Sequence, residues 1–339
     1  MKRRVLSLVL IVLPALVPAR VAVGQSVMSW LDPRLVRQRP VVDYRQRSYF
    51  DEAGVRGQDA ELGFHKQELA VTAPLYQDDE EQWRFTSQVW SLCLHNNATL
   101  PDTGEPVPDE LWDIRVGGGY GRKLDGDKVL GVHATAGSAS DRPFARAGQT
   151  ALSATAFLYW PETRQAGADG TPAKETGWLT YLTAQSQLNG SGAYAFPGAG
   201  YYLNSQYLDG LFGVPVVWVQ LKPAPPLAVQ GLFIPSRAML DATYEIAKGV
   251  ALYATYDWEY LNFFRHDRAD DDEQFYYQEQ RVYAGVELEL ADNALLTLGG
   301  GYGFDRRFYE SDNPFCGSQR NRFSVGDGAI AFVKLHMKF

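Results

Sequence analysis

The chain has 339 residues, a formal net charge of −8, and 45% hydrophobic against 21% charged residues. That is enough apolar character for a large ordered fold, and its acidity argues against a nucleic-acid partner. Two cysteines, Cys93 and Cys316, exclude a disulfide framework.

Lys2, Arg3 and Arg4 precede an apolar run from Val5 to Val17, broken by Pro14, and Ala22 and Gly24 then supply small residues before a cut ahead of Gln25. This reads as a cleavable signal peptide over 1–24; a membrane anchor would need about 20 unbroken apolar residues. Its removal takes four basic residues and leaves a net charge of about −12. No later run approaches a spanning helix, so if the chain crosses a membrane it must do so as a barrel.

Residues 25–60 carry Pro33, Pro40 and six arginines with little alternation. The expectation is an irregular periplasmic lead-in, with a lumen plug as the alternative. From Glu61 the texture becomes strands separated by turn residues, at 61–75, 82–95, 111–124, 127–138, 149–160, 177–188, 200–222, 227–246, 249–262, 276–290, 293–308 and 325–339. The fold class expected is all-β, an antiparallel up-and-down transmembrane barrel over 61–339. It has about 12 strands (range 10–14), and 14 if 200–222 divides at Asp209-Gly210 and 227–246 at Pro235.

Several strands sort by parity, as a pleated strand between an apolar and a polar medium requires. In 249–262, Leu252, Ala254, Tyr256, Trp258 and Tyr260 oppose Asp257 and Glu259; in 276–290, Val282, Val286 and Leu288 oppose Arg281, Glu287 and Glu289. With Asp113, Arg115, Asp305, Arg307, Lys334 and Lys338, these charges form the expected lumen-lining set. A soluble sandwich shows the same alternation, but its apolar faces form a core.

The last stretch sets Ala329, Ala331, Val333, Leu335, Met337 and Phe339 against Lys334, His336 and Lys338. This ending resembles the C-terminal targeting strand of bacterial outer-membrane β-barrel proteins, and the chain also resembles a family of unknown function among barrels of planctomycete-like bacteria. The resemblance implies an outer-membrane location and contact with outer-membrane lipid. It also implies recognition of Phe339 by the barrel-assembly machinery, and it supplies no catalytic residue. A monomer without cofactor is expected. Counting back from Phe339 places loops 309–324, 263–275 and 161–176 outside and turns 291–293 and 247–249 inside, with the long 97–110 segment anomalously inside.

Two glycine runs, Gly117-Gly118-Gly119-Tyr120-Gly121 and Gly299-Gly300-Gly301-Tyr302-Gly303, lack the following helix of a phosphate loop. They read as bends in strands covered by the neighbouring tyrosines. Asp267, Asp270, Asp271, Asp272 and Glu273 suit Ca²⁺ or Mg²⁺ by chemistry, yet they match no defined loop and read as a solvated tip. The five histidines have no metal spacing, and no Gly-x-Ser-x-Gly is present, which argues against an enzyme.

Three functions remain open: a passive porin-like or small-solute channel with a mixed-charge lumen, a non-conducting structural or surface-binding barrel, and, less favoured, a barrel enzyme. Deleting Phe339 is expected to impair assembly while leaving export intact. Fractionation that finds this variant fully inserted in the outer membrane would contradict the targeting role.

Overall fold

Alternation places one set of side chains on each face of a strand, so a sheet with one apolar and one charged parity must separate two media. The computed structural model describes residues 39–50, 52–166, 172–188, 193–205, 207–224, 226–266, 273–311 and 318–339. The signal-peptide residues, Cys316, and Asp267, Asp270, Asp271 and Asp272 lie outside the described residues.

Among the described residues the chain forms β1 (Val41–Tyr49), β2 (Ala53–Gly54), β3 (Glu61–Gln77), β4 (Glu81–Asn96), β5 (Glu110–Lys123) and β6 (Val129–Ser140). There follow β7 (Ala151–Ala166), β8 (Pro172–Gln187), β9 (Tyr194–Ser205), β10 (Leu208–Val214), β11 (Val217–Ala224) and β12 (Leu227–Ile234). The last six are β13 (Arg237–Ala247), β14 (Val250–Phe264), β15 (Gln274–Ala291), β16 (Ala294–Ser311), β17 (Arg320–Val325) and β18 (Gly328–Lys338).

Consecutive strands pair antiparallel from β3 to β16, β16 pairs with β18, and β1 pairs with both β18 and β3. The ring is therefore closed by 16 strands, and no sandwich is formed. Beyond the ends of β1 and β18, the short β2 and β17 pair with β3 and β16, and a Val55–Val325 bridge joins the two pieces above the ring.

The barrel is as expected, but its strand number is 16 and not about 12. Part of the shortfall lies in 200–222, which overlaps three strands, β9 to β11, and in 227–246, which is two, β12 and β13. Their connections are only about two residues long, so the period of two runs on through them. The remaining strand is β1, within the stretch read as an irregular lead-in.

Three uncounted strands after β8 are an odd number, so the direction of every earlier strand is reversed. The 97–109 connection therefore lies at the end opposite Phe339, which removes the anomaly, and the ends of β7 and β8 that flank 167–171 lie at the Phe339 end. Cys93, which the inside placement of the 97–110 segment would put at the rim nearest Phe339, stands near the far end of β4, with Glu110 Oε1 at 3.9 Å from its Sγ.

The outward parity is apolar and exposed: Leu69, Phe85, Val116, Val132, Leu182, Phe233, Leu240, Leu252, Val282 and Leu298 are all among the exposed large hydrophobics. The inward parity is closed in an unexpected way. Phe264 at the tip of β14 forms a parallel bridge with Ser140 at the tip of β6. In a ring of 16, these two strands are eight steps apart in either direction, hence diametrically opposed. At ~4.8 Å between strands, a round ring of this size would hold them more than about 20 Å apart. The cross-section is therefore pinched flat at the end opposite Phe339.

The pinch is fastened by side chains. The Asp141 carboxylate accepts from the His266 backbone N–H at 2.9 Å and stands 2.6 Å from His266 Nδ1, and Gln149 Nε2 donates to the Arg265 carbonyl at 3.2 Å. It also explains why both parities of β14 and β15 are buried near their tips. Phe263, Phe275 and Tyr277 are buried on one face, and Phe264, Gln274 and Tyr276 on the other.

Apolar cores lie on either side, one at the pinched end and one nearer the Phe339 end of β6 to β8. One gathers Phe64, Trp90, Leu92, Phe263, Phe275, Tyr277, Phe308 and Phe323, with Val55, Leu100 and Val107 folded in from the connections. The other gathers Phe157, Tyr159, Leu179, Tyr181, Tyr202, Leu211 and Leu232. Phe308 is fully buried, with ring centroids 5.1 Å from Phe323, 5.4 Å from Phe275 and 4.6 Å from Tyr277. Phe308→Ala is expected to cost about 3–5 kcal/mol, read as a lowered denaturant midpoint of the refolded protein in detergent. A cost under about 1 kcal/mol would show that this end is not packed.

Candidate functional site

Inward-pointing charges from five strands meet below the first of these cores, on the Phe339 side of Phe263 and Phe275. Arg281 of β15, fully buried, donates to Glu279 at 2.5 Å, to Asp257 at 2.6 Å and to Glu259 at 2.8 Å. Asp257 also accepts from Arg237 of β13 at 2.9 and 3.1 Å. Glu259 also accepts from Lys66 of β3 at 2.8 Å and from Arg47 of β1 at 3.3 Å.

Charges taken out of water are tolerable only when paired and hydrogen-bonded, and here each carboxylate has two or more cationic donors or shares one. Lys66 also lies 4.4 Å from the centre of the Trp90 ring, a cation–π contact that caps the network on the β4 side. The Lys66–Glu259 pair joins strands five steps apart on the ring, which the flattened section brings within reach.

Of the expected lumen-lining residues, Asp257, Glu259 and Arg281 belong to this network. Asp113 is buried and accepts from Arg115 Nε at 2.7 Å on the inner face of β5. Glu287 and Lys334 line a cavity described below. Glu289 and Lys338 are exposed close to the ends of β15 and β18, at the Phe339 rim. Phe339 is itself exposed there, its N–H bonded to the Pro40 carbonyl at 2.9 Å.

Asp305 and Arg307 differ from the expectation. The register of β15 and β16 shifts between Gln278–Arg307 and Gln280–Phe304, so two residues of β16 oppose one of β15. Asp305, with φ +53°, is the extra residue of this bulge. It accepts from Gln280 at 3.0 Å, and Gln280 in turn accepts from Tyr256 on the outward face. Arg307 pairs with Asp305 there. Parity is thereby switched, and Arg306 takes the inward position: it is buried, bonded to the Gly326 carbonyl, and lies 4.1 Å from the Tyr49 ring centre.

Sequence reading missed Arg45, Arg47, Lys66, Glu68, Arg237, Glu279 and Arg306. A signal existed in β1, where Asp43, Arg45 and Arg47 share one parity, but the opposing set of Val42, Tyr44, Gln46 and Ser48 has no unbroken apolar face to mark it as wall.

The glycine runs are strand interior, but Tyr120 and Tyr302 stand on the opposite parity to Gly119 and Gly301 and leave the inner face of the runs bare. The inner surface of the second run is instead covered by rings from neighbouring strands. A Cβ on Gly299 would stand 2.5 Å from Phe332, and one on Gly303 would collide with the Tyr49 hydroxyl. Glu273, the one described member of the acidic cluster, pairs with Arg320 at 2.8 Å. Among the described residues no group of three or more His, Cys, Asp or Glu could hold a metal ion.

Below the network, toward Phe339, the lumen keeps a cavity of about 320 Å³. It is walled by β1, β18, β16, β15, β14 and β13, with Gln220 and Gln230 reaching in from β11 and β12. Among the charged groups at its surface are Arg45, Lys334, Asp241 and Glu287, and Tyr253, Tyr283 and Phe332 are its aromatic ones.

No protein-family profile matches the chain, and no curated protein matches it. The resemblance to barrels of planctomycete-like bacteria therefore has no match behind it. Among solved structures, an outer-membrane channel from Pseudomonas putida F1 is 12% identical over 91% of this chain and 98% of its own, with a TM-score of 0.38. The Pseudomonas putida toluene transporter TodX is 11% identical over 95% of each chain, with a TM-score of 0.37. The translocator domain of the autotransporter NalP from Neisseria meningitidis is 10% identical over 93% of each, with a TM-score of 0.32. Likeness at this level carries nothing about what the barrel holds or passes; the closed ring rests on the chain's own strand pairing.

Arg281→Met strands Asp257, Glu259 and Glu279 in the interior and is expected to cost about 3–5 kcal/mol. Arg307→Met, on the outward face, is expected to cost less than about 1 kcal/mol. Denaturant unfolding of the two refolded variants checks both, and equal costs would disprove the parity switch at Asp305.

Proposed function

We propose that the chain is an outer-membrane β-barrel with a lumen shut against free diffusion, a closed barrel with an interior chamber and not a wide passive pore. The membrane setting is supported by the inversion of ordinary burial: Arg281 and Glu279 are fully buried, while Val282 and Leu240 are 44% and 54% exposed. In water such an apolar belt is an aggregation liability; in lipid it is the required surface. The even ring sets the start of β1 at Val41 and the end of β18 at Lys338 on one side. With Phe339 facing the periplasm, the longer connections at 97–109 and 141–150 face outward.

The observation that carries the closed reading is the bridge between Phe264 and Ser140 across the full width of the ring. A round barrel of 16 strands leaves an aqueous channel; this one is flattened, and its two lobes are packed with aromatic and aliphatic side chains. The passive small-solute channel remains the second reading, favoured by the mixed-charge lining of the chamber, and the sixteen-strand ring is wide enough for it once the pinch opens.

Planar-bilayer recording of the refolded full chain separates the two. The expected result is no steady porin-sized step in conductance over the accessible voltages. Stable, reproducible open steps of the unmodified protein would overturn the closed reading in favour of the channel.

A further inference from the structure

The chamber on the Phe339 side of the ion network has charges that the protein itself leaves unmatched. Lys334 has three N–H donors, yet among the described residues no carboxylate lies within ion-pair distance of it. Asp43, Glu287 and Asp241 are near enough only for their fields to be felt at its ammonium. Asp241 accepts from the Thr255 hydroxyl and Glu287 from the Thr297 hydroxyl at 3.4 Å. Among the described residues neither carboxylate has a cation within ion-pair distance. Each hydroxyl aims its carboxylate while leaving most of its lone pairs open.

Strand register explains why these opposite charges do not simply pair. Glu287 lies opposite Thr297, Thr297 opposite Lys334, and Lys334 opposite Arg45, in one hydrogen-bonded row. Thr297 thus holds Glu287 and Lys334 two strands apart, roughly 9–10 Å at the backbone. A molecule with a carboxylate and an ammonium a few ångströms apart, given a hydrogen bond of about 2.8 Å at either end, spans a comparable width. One part of the remaining wall is aromatic: Phe332 packs edge-on to Tyr253 at 5.5 Å and lies 5.1 Å from Tyr283.

We propose that this chamber binds a small zwitterion with an apolar side chain, of the free amino-acid class. Its carboxylate is held by Lys334 beside Arg45, its ammonium by Glu287, and its side chain rests on Phe332 and Tyr253, with Asp241 adding negative charge farther along the wall. A simple anion would meet the repulsion of two carboxylates, and a simple cation that of Lys334 and Arg45, so only a ligand with both charges satisfies both walls. The volume of about 320 Å³ lies at the small end of ligand cavities, which suits a single amino acid. The inference rests on the closed reading for the low dielectric that makes these contacts count, but its test does not depend on conductance.

Isothermal titration calorimetry of the refolded full chain in detergent, with L-phenylalanine, N-acetyl-L-phenylalanine and L-phenylalanine amide as probes, decides the matter. Saturable binding of L-phenylalanine is expected, weakened at least tenfold by acetylating the amine and by amidating the carboxylate. Lys334→Met is expected to weaken it tenfold or more, and Glu287→Gln several-fold. Should Lys334→Met fail to refold, Glu287→Gln with the three probes gives the same answer. No saturable binding of L-phenylalanine, or equal binding of the acetylated form, would overturn the proposal and leave a water-filled chamber. A protein that conducts freely yet binds only the zwitterion would refute the closed lumen and keep this site; a silent barrel that binds none of the probes would do the reverse.

Discussion

The meeting of β14 with β6 is the constraint on which the rest of this structure depends. Sixteen strands closed in a ring satisfy every edge, but they enclose far more space than their inward side chains can fill if the ring stays round. Pressing opposite walls together at one end converts that space into two narrow lobes. Phe64, Trp90, Phe275 and Phe308 fill one lobe at that end, while Phe157, Tyr181 and Tyr202 pack the other side lower down, toward the Phe339 end. The same flattening brings Lys66 within 2.8 Å of Glu259.

A network such as that around Arg281 contributes little net stability compared with apolar residues of the same volume, because desolvation of the charges offsets most of their attraction. What it does supply is selectivity among arrangements. Arg281 finds three carboxylates from two strands, and Glu259 finds cations from three. Any slip in register of one wall past another would separate several of these pairs at once. The network therefore pins the relative heights of β1, β3, β13, β14 and β15, much as a buried polar residue fixes register in a coiled coil.

The architecture was legible wherever a strand separates two media cleanly. In β14, β15 and β18 the apolar set is unbroken, and the structure places it outward in each. Where that contrast is weak, reading failed for a physical reason. Strand β1 has Gln46 and Ser48 on its outer parity and so resembles loop. Pro235 and Ser236 make a turn so short that the alternation of β12 and β13 appears continuous.

The bulge at Asp305 reversed two side chains that simple parity had placed inside. No local signal marks it, because the positive φ falls on an aspartate and not on one of the nearby glycines. The pinch itself was beyond reach, since it joins residues more than a hundred positions apart.

The wall is also uneven in height. Strands β10, β11 and β12 have 7, 8 and 8 residues, whereas β15 and β16 have 18 each. Tilted as barrel strands are, seven residues at ~3.3 Å reach only about 18 Å along the membrane normal, short of an apolar band of about 25 Å. In the membrane setting proposed above, a bilayer around this barrel would not be of one thickness: it would thin beside β10 to β12 and recover beside β15 and β16. Lipid on the low side would there be strained and less ordered, so the two flanks of one molecule would present different solvents to whatever approaches through that membrane.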